Sequence, residues 1–145
     1  MNTYSGRRLS DGTAVVYTNG KVLSPARSLR VWNHSPTGFE WGYGGSGPAQ
    51  LGLALLLEET DREEAVRLHQ EFKWDVIAPL RQEGTWVIDS VCIEDWLEKN
   101  RSAARGPSRS AVDGNPAAAG AVSGLPPAAP AGGSTDNQGC LYVQA

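Results

Sequence analysis

The chain has 145 residues and a formal net charge of −3, from 13 Lys+Arg against 16 Asp+Glu. That length suits one compact domain. A mildly acidic chain lacks the basic field that dominates affinity for phosphate backbones, so nucleic acid is not an expected partner.

In chain order, TAVVYTNGKVLS (residues 13–24) places β-prone runs on either side of Asn19-Gly20. That dipeptide readily supplies the positive φ angles of a type I′ hairpin turn. A third strand is expected over Leu29 to His34, followed by a turn at Ser35-Pro36-Thr37-Gly38 and an antiparallel return through Phe39-Glu40-Trp41. Thr3 to Arg7 could add at an edge of this small sheet. Pro48 has the fixed φ and missing N–H of a first helical position, and the apolar run after it predicts a buried helix from Pro48 to Glu59. Thr60-Asp61-Arg62-Glu63 reads as a capping box that opens a second helix. In that helix Ala65, Leu68, Phe72, Val76 and Leu80 recur every three to four residues. Thr85 to Ile88 is a short strand or extended connection, and Ser90 caps a last helix that buries Cys92 or Ile93, Trp96 and Leu97. The expected class is α+β, a small antiparallel sheet from the N-terminal half packed against about three helices.

Residues 1–100 are expected to form this single domain. Residues 101–145 contain 11 Ala, 7 Gly and 5 Pro, a composition that buries too little surface to offset its ordering entropy. They are expected to be a disordered tail. The sequence MNTYSGRRLSDG has no apolar signal-peptide core. The longest apolar stretch, Leu51 to Leu57, is too short to span a bilayer, so a cytoplasmic protein without membrane contact is expected. Cys92 falls in a helical pattern and Cys140 in the tail, and neither a disulfide nor a metal site is expected from them.

Candidate chemistry concentrates between His34 and Gln50. GYGGSG, Gly42 to Gly47, matches G-x-G-x-x-G and runs into a helix whose unpaired amides and dipole favour an anion. No parallel strand follows that helix, so there is no βαβ unit to carry a dinucleotide, and no Lys-Ser or Lys-Thr completes a P-loop. A less specific site remains, with the amides and side chains of Ser46, Gly47 and Gln50 facing Trp41, Tyr43 and His34. Such a set can hold a phosphate, a carboxylate or a flat ring against an aromatic wall. The competing reading is a structural join, in which Gly and Pro turn the chain sharply and Gln50 bonds a turn carbonyl. A catalytic arrangement of His34 with Ser35 or Ser46 and Glu40 is disfavoured, because adjacent strand residues point to opposite faces and no nucleophile-elbow pattern is present. His34 and His69 are the only histidines, and no spaced Cys or Asp set makes a metal site with them. Neither catalytic residues nor cofactors are assigned. The acidic cluster Glu58, Glu59, Asp61, Glu63 and Glu64 reads as a solvated helix corner.

The run NHSPTGFEWGYGGSGPAQLGLALLL, followed by EFKWDVIAPL and WVIDSVCIEDWL, resembles an uncharacterised family of bacterial, plasmid and phage proteins, a domain of unknown function. The resemblance covers about Thr3 to Leu97. Gly52 departs from the Ala expected at its position. What the resemblance implies is an accessory gene on mobile elements. The leading expectation is a non-enzymatic binding module that modulates or inhibits a host or defence protein. The alternative is a domain that binds a small anion or nucleotide phosphate at the Gly42 to Gln50 turn, extending to hydrolysis.

Overall fold

The computed structural model describes residues 1–104 and 143–144. Of these, residues 1–93 and 143–144 belong to one compact unit and residues 94–104 to another. The class is α+β, as the residue pattern predicts.

The first unit opens with strands β1 (Thr3–Arg8), β2 (Ala14–Thr18) and β3 (Lys21–Val22). Asn19 and Gly20 carry positive φ angles of 51° and 82°, which close the β2–β3 hairpin at the expected dipeptide. Strand β4 (Trp86–Asp89) and the short β5 (Val143–Gln144) complete a sheet of order β3-β2-β1-β4-β5. All its pairings are antiparallel. β1 is therefore a central strand and not an edge. Its register sets Gly6 opposite Val16 on one side and Trp86 on the other. Tyr4, Gly6, Val16, Trp86 and Ile88 are buried, the alternation of a sheet with one covered face. A Cβ on Gly6 would lie 2.4 Å from the Trp86 ring. Only glycine lets that indole lie flat across the strand.

Helices α1 (Ala26–Val31), α2 (Ser46–Glu59) and α3 (Arg62–Phe72) follow between β3 and β4. The strand expected over Leu29 to His34 is instead α1 and an irregular exit. Ser24 Oγ accepts from the Ala26 amide at 3.1 Å and Leu29 N–H donates to Pro25 O at 2.9 Å, so the Ser-Pro start nucleates a turn. Phe39-Glu40-Trp41 pairs with no strand and lies between Gly38 (φ +117°) and Gly42 (φ +89°). The backbone of Gly42 bonds a helical segment, N–H to Ile77 O at 3.1 Å.

α2 is buried from Gly47 to Leu57, as expected for a helix apolar on every side. It packs against α1 and α3. Pro48 falls in the first turn, after Ser46 and Gly47, where its missing N–H still costs no helical bond. The cap of α3 lies one residue beyond the expected box: Asp61 accepts from the Glu64 amide at 2.9 Å, while Thr60 Oγ1 donates to Glu64 Oε2 at 2.7 Å. At its far end, α2 is pinned to β1 because Glu59 accepts from the Tyr4 hydroxyl and from Asn2 Nδ2.

The expected run from Ala65 to Leu80 is interrupted. After α3 the chain takes a π-helical turn, Lys73–Ile77, in which Ala78 N–H donates to Lys73 O at 2.8 Å. One extra residue per turn brings Lys73, Val76, Ile77 and Leu80 inward and leaves Trp74 exposed. Pro79, which cannot donate a backbone bond, follows directly.

α4 (Ser90–Ala104) begins in the first unit and continues into the second. Its start is knitted to residue 2: Ser90 N–H donates to Asn2 O at 2.8 Å and Ser90 Oγ accepts from Asn2 N–H at 3.0 Å. Asp89 accepts from the Cys92 amide at 3.0 Å. Cys92 is disulfide-bonded, which corrects the expectation of unpaired thiols; Cys140 lies outside the described residues. Within the second unit, Asn100 Nδ2 donates to Trp96 O at 2.8 Å and Arg101 pairs with Glu98 at 3.8 Å. Of the segment expected as a tail, residues 105–142 and 145 lie outside the described residues, α4 continues to Ala104, and Val143–Gln144 forms β5. No helix among the described residues is long and apolar enough to cross a membrane.

Candidate functional site

The six residues expected to bind a ligand go to different places. Gln50, in the first turns of α2, is fully buried, and all its hydrogen-bonding capacity is used internally. Its Oε1 accepts from the amides of His34 at 2.7 Å and Ser35 at 3.0 Å. Its Nε2 donates to Ser28 Oγ at 2.9 Å and Trp32 O at 3.1 Å. Gln50 thus ties the exit of α1 to the central helix. Trp41 is also buried, edge-on to Trp86 with ring centroids 5.5 Å apart, and the Arg8 guanidinium lies 4.9 Å from its ring. Gly47 is buried against Glu40, whose Cβ would be 2.6 Å from a Cβ on the glycine. Ser46 and Tyr43 are exposed.

The catalytic arrangement disfavoured by the residue pattern is not assembled. Glu40 faces Arg8, with Oε1 at 2.6 Å and Oε2 at 3.2 Å from the guanidinium, which raises the Arg8 pKa. Ser35 is buried, its Oγ 3.3 Å from Thr37 Oγ1. A depression of about 390 Å³ is lined by Arg8, Gly12, Glu40, Tyr43, Gln82 and Glu83, and Tyr43 is the one expected site residue on its wall.

The fold instead gathers a cluster that chain order conceals. His34 Nε2 lies 2.8 Å from His69 Nε2. His69 Nδ1 is 2.7 Å from Val66 O, and a carbonyl can only accept, so the proton sits on Nδ1 and Nε2 offers a lone pair. His34 therefore donates from Nε2. Trp32 stacks on His34 at 4.9 Å between centroids and 17° between planes, and it meets His69 at 5.6 Å. Four residues after His69, Lys73 is buried, and its Nζ donates to Gly44 O at 3.4 Å while lying 4.5 Å from the centre of the Trp74 ring. Trp74 covers Gly44, where a Cβ would be 2.1 Å from the indole, and the Tyr43 ring covers Gly45 in the same way. These glycines are the floor of the two rings.

The electrostatics follow burial. Both imidazoles titrate below their ordinary value, chiefly because burial disfavours the charged form, and the Lys73 ammonium adds to the shift in each. Burial likewise lowers the Lys73 pKa. Both imidazoles are neutral at neutral pH.

The contacts run from Trp32 through His34, His69, Lys73 and Trp74 to Gly44 and Tyr43. Trp32, Tyr43 and Trp74 are 49%, 42% and 59% exposed. Of this set the residue pattern singled out only His34 and Tyr43. The spacing of His69 and Lys73, one turn apart on one helix face, was the available signal, and nothing in chain order sets it beside His34. Among the described residues no group of three or more His, Cys, Asp or Glu is gathered for a metal ion.

No curated protein and no solved structure matches the chain. A family model described as a family of unknown function, DUF6166, matches residues 4–99, almost the whole stretch from β1 into α4, and the chain belongs to that family.

Proposed function

We propose that the protein is a non-enzymatic accessory module of bacterial or mobile-element origin that works in the cytoplasm by binding another protein, and that it contacts this partner through Trp32, Tyr43 and Trp74. The observation that carries the reading is the exposure of these three large aromatics on a backbone fixed from beneath. Exposed apolar patches on small domains mark interaction sites, and Trp and Tyr dominate the energetics of interface centres. The Gln50 bonds, the Lys73 bond to Gly44 and the ring-over-glycine packing hold the rings in place before binding. Preorganisation of this kind reduces the entropic cost of association. A host or defence protein is the class of partner that fits an accessory gene.

Affinity purification of the full chain from its native host, with nuclease treatment, tests the reading. A stoichiometric, nuclease-resistant partner that is lost from Trp74→Ala and Trp32→Ala while both variants keep the wild-type melting temperature is the expected result. Retention of the same partner by both variants refutes the aromatic face.

A second reading places a small anion or nucleotide phosphate at the start of α2. It is favoured by one feature: that helix has no side-chain cap and no acidic residue in its first turn. Gln50 and Trp41 are committed elsewhere, and the Ala49 amide already donates to Gly45 O at 3.2 Å. The reading therefore rests on the Ser46 and Gly47 amides. Saturable phosphate-induced shifts at those two amide resonances support it, and small, distributed shifts count against it.

A further inference from the structure

The His34–His69 hydrogen bond sets two imidazole nitrogens, each a potential metal ligand, face to face. Three polar side chains converge on one point. His69 Nε2 faces His34 Nε2 at 2.8 Å, and the side-chain amide of Gln70 approaches the same nitrogen at 3.4 Å. The His69 ring is held by the Val66 carbonyl on its other nitrogen, the outer-sphere contact that orients metal-bound imidazoles and raises their basicity. His69 is on a rigid helix, His34 is half-buried on an irregular segment, and Gln70 is exposed. We propose that His34, His69 and Gln70 form a binding site for one late first-row divalent cation, of the zinc, copper or nickel class.

Two imidazole nitrogens at about 2.0–2.1 Å from a tetrahedral ion stand about 3.3–3.4 Å apart. The pair must therefore open by roughly half an ångström, a movement within reach of the His34 segment. His34 must also pass its Nε2 proton to Nδ1 through solvent, a change of tautomer that releases no net proton. Turning the exposed Gln70 amide end for end presents Oε1 to the ion, and water completes the shell. The donor set selects the ion class. Two imidazoles and an amide oxygen suit zinc, copper and nickel, and the absence of any carboxylate from the set disfavours magnesium and calcium. Lys73, on the next turn after His69, opposes a cation by its charge. Its bond to Gly44 O holds the ammonium on the side of the turn, so it weakens the site without blocking it.

The full chain titrated calorimetrically with Zn2+, Cu2+ and Mg2+ salts, with the imidazole 15N resonances followed in parallel, tests the site. Expected are one saturable site, tighter for Cu2+ than for Zn2+, no response to Mg2+, and Zn2+-induced shifts at Nε2 of both His34 and His69. His34→Asn and His69→Asn should each lose at least about tenfold in affinity, Gln70→Ala less, and Lys73→Met should gain. Because His69 is buried, His34→Asn with an unchanged circular dichroism spectrum is the deciding variant. No saturable Zn2+ or Cu2+ binding to the wild type, or unchanged affinity in His34→Asn, overturns the proposal.

Discussion

The sheet and the segment from Trp32 to Gly45 are held together in opposite ways. In the sheet, backbone pairing and apolar contact suffice: β1 bonds on both sides, and Trp86 lies across Gly6 and against Trp41. The segment has no regular structure and relies on side chains that reach it from elsewhere, Gln50 above all, with Lys73 at Gly44. A sheet distributes its stability over many weak, redundant contacts. A segment fixed by a few bonds concentrates it: Gln50 sets the backbone at Trp32, and Lys73 with the Gly42 to Ile77 bond sets the backbone around Tyr43.

The largest expected effect tests the sheet. Trp86→Ala removes a fully buried indole and should destabilise by about 3–5 kcal/mol in urea unfolding; a loss under about 1 kcal/mol would mean the neighbours close the cavity. Next, Gln50→Leu keeps the volume but leaves the His34 and Ser35 amides without the oxygen they share and the Trp32 carbonyl without the Gln50 donor, while the Ser28 hydroxyl keeps its bond to Pro25 O. A cost of about 2–3 kcal/mol is expected from stranded buried groups. Its distinguishing sign is local, with amide exchange rising from Trp32 to Ser35 before it rises in β1. Equal acceleration in both regions would erase the contrast drawn above.

Proton uptake separates the regions further, because the described sheet strands hold no histidine. His34 and His69 titrate below the ordinary 6.5 in the folded chain. The unfolded chain therefore binds more protons as pH falls through that value, and stability drops with acidification. The urea midpoint should decline from about pH 6.5 downward. The decline should be shallower in His34→Asn. A midpoint that rises on acidification through this window would contradict the assigned direction.

The smallest effect is expected where α2 and α3 touch. A Cβ at Gly52 would lie 3.3 Å from His69 O and 3.5 Å from the Phe72 ring, a tolerable contact. Gly52→Ala should gain up to about 1 kcal/mol of helix propensity. A lower melting temperature would show that the two helices cannot separate by a few tenths of an ångström.

What could be read in advance follows the same division. The Asn19-Gly20 turn, the buried α2 and the apolar period of α3 are local, and local chemistry decides them. Leu29 to His34 reads as a strand in sequence, but the Ser24-Pro25 start and the bonds from Gln50 to Ser28 and Trp32 fix α1 and its exit instead. Phe39 to Trp41 finds no strand to pair with. The π-helical turn departs from the 3.6-residue period by one residue, which a periodic count passes over. At the candidate site, His34 and Tyr43 were legible as unusual residues. His69, Lys73 and Trp74 were not, since their proximity to the glycine segment is a product of helix packing.

The place of β1 in the sheet bears on the order of assembly. Its hairpin with β2 needs only nearby residues, but its other edge waits for β4, where Thr3 pairs with Asp89 and Gly6 with Trp86. Closing so long a loop is slow compared with forming helices. Until it closes, β1 offers a row of unpaired amides and carbonyls to any other strand. A fragment that stops short of Trp86 would keep that edge open permanently, and it would be expected to self-associate through β1 even with its helices formed.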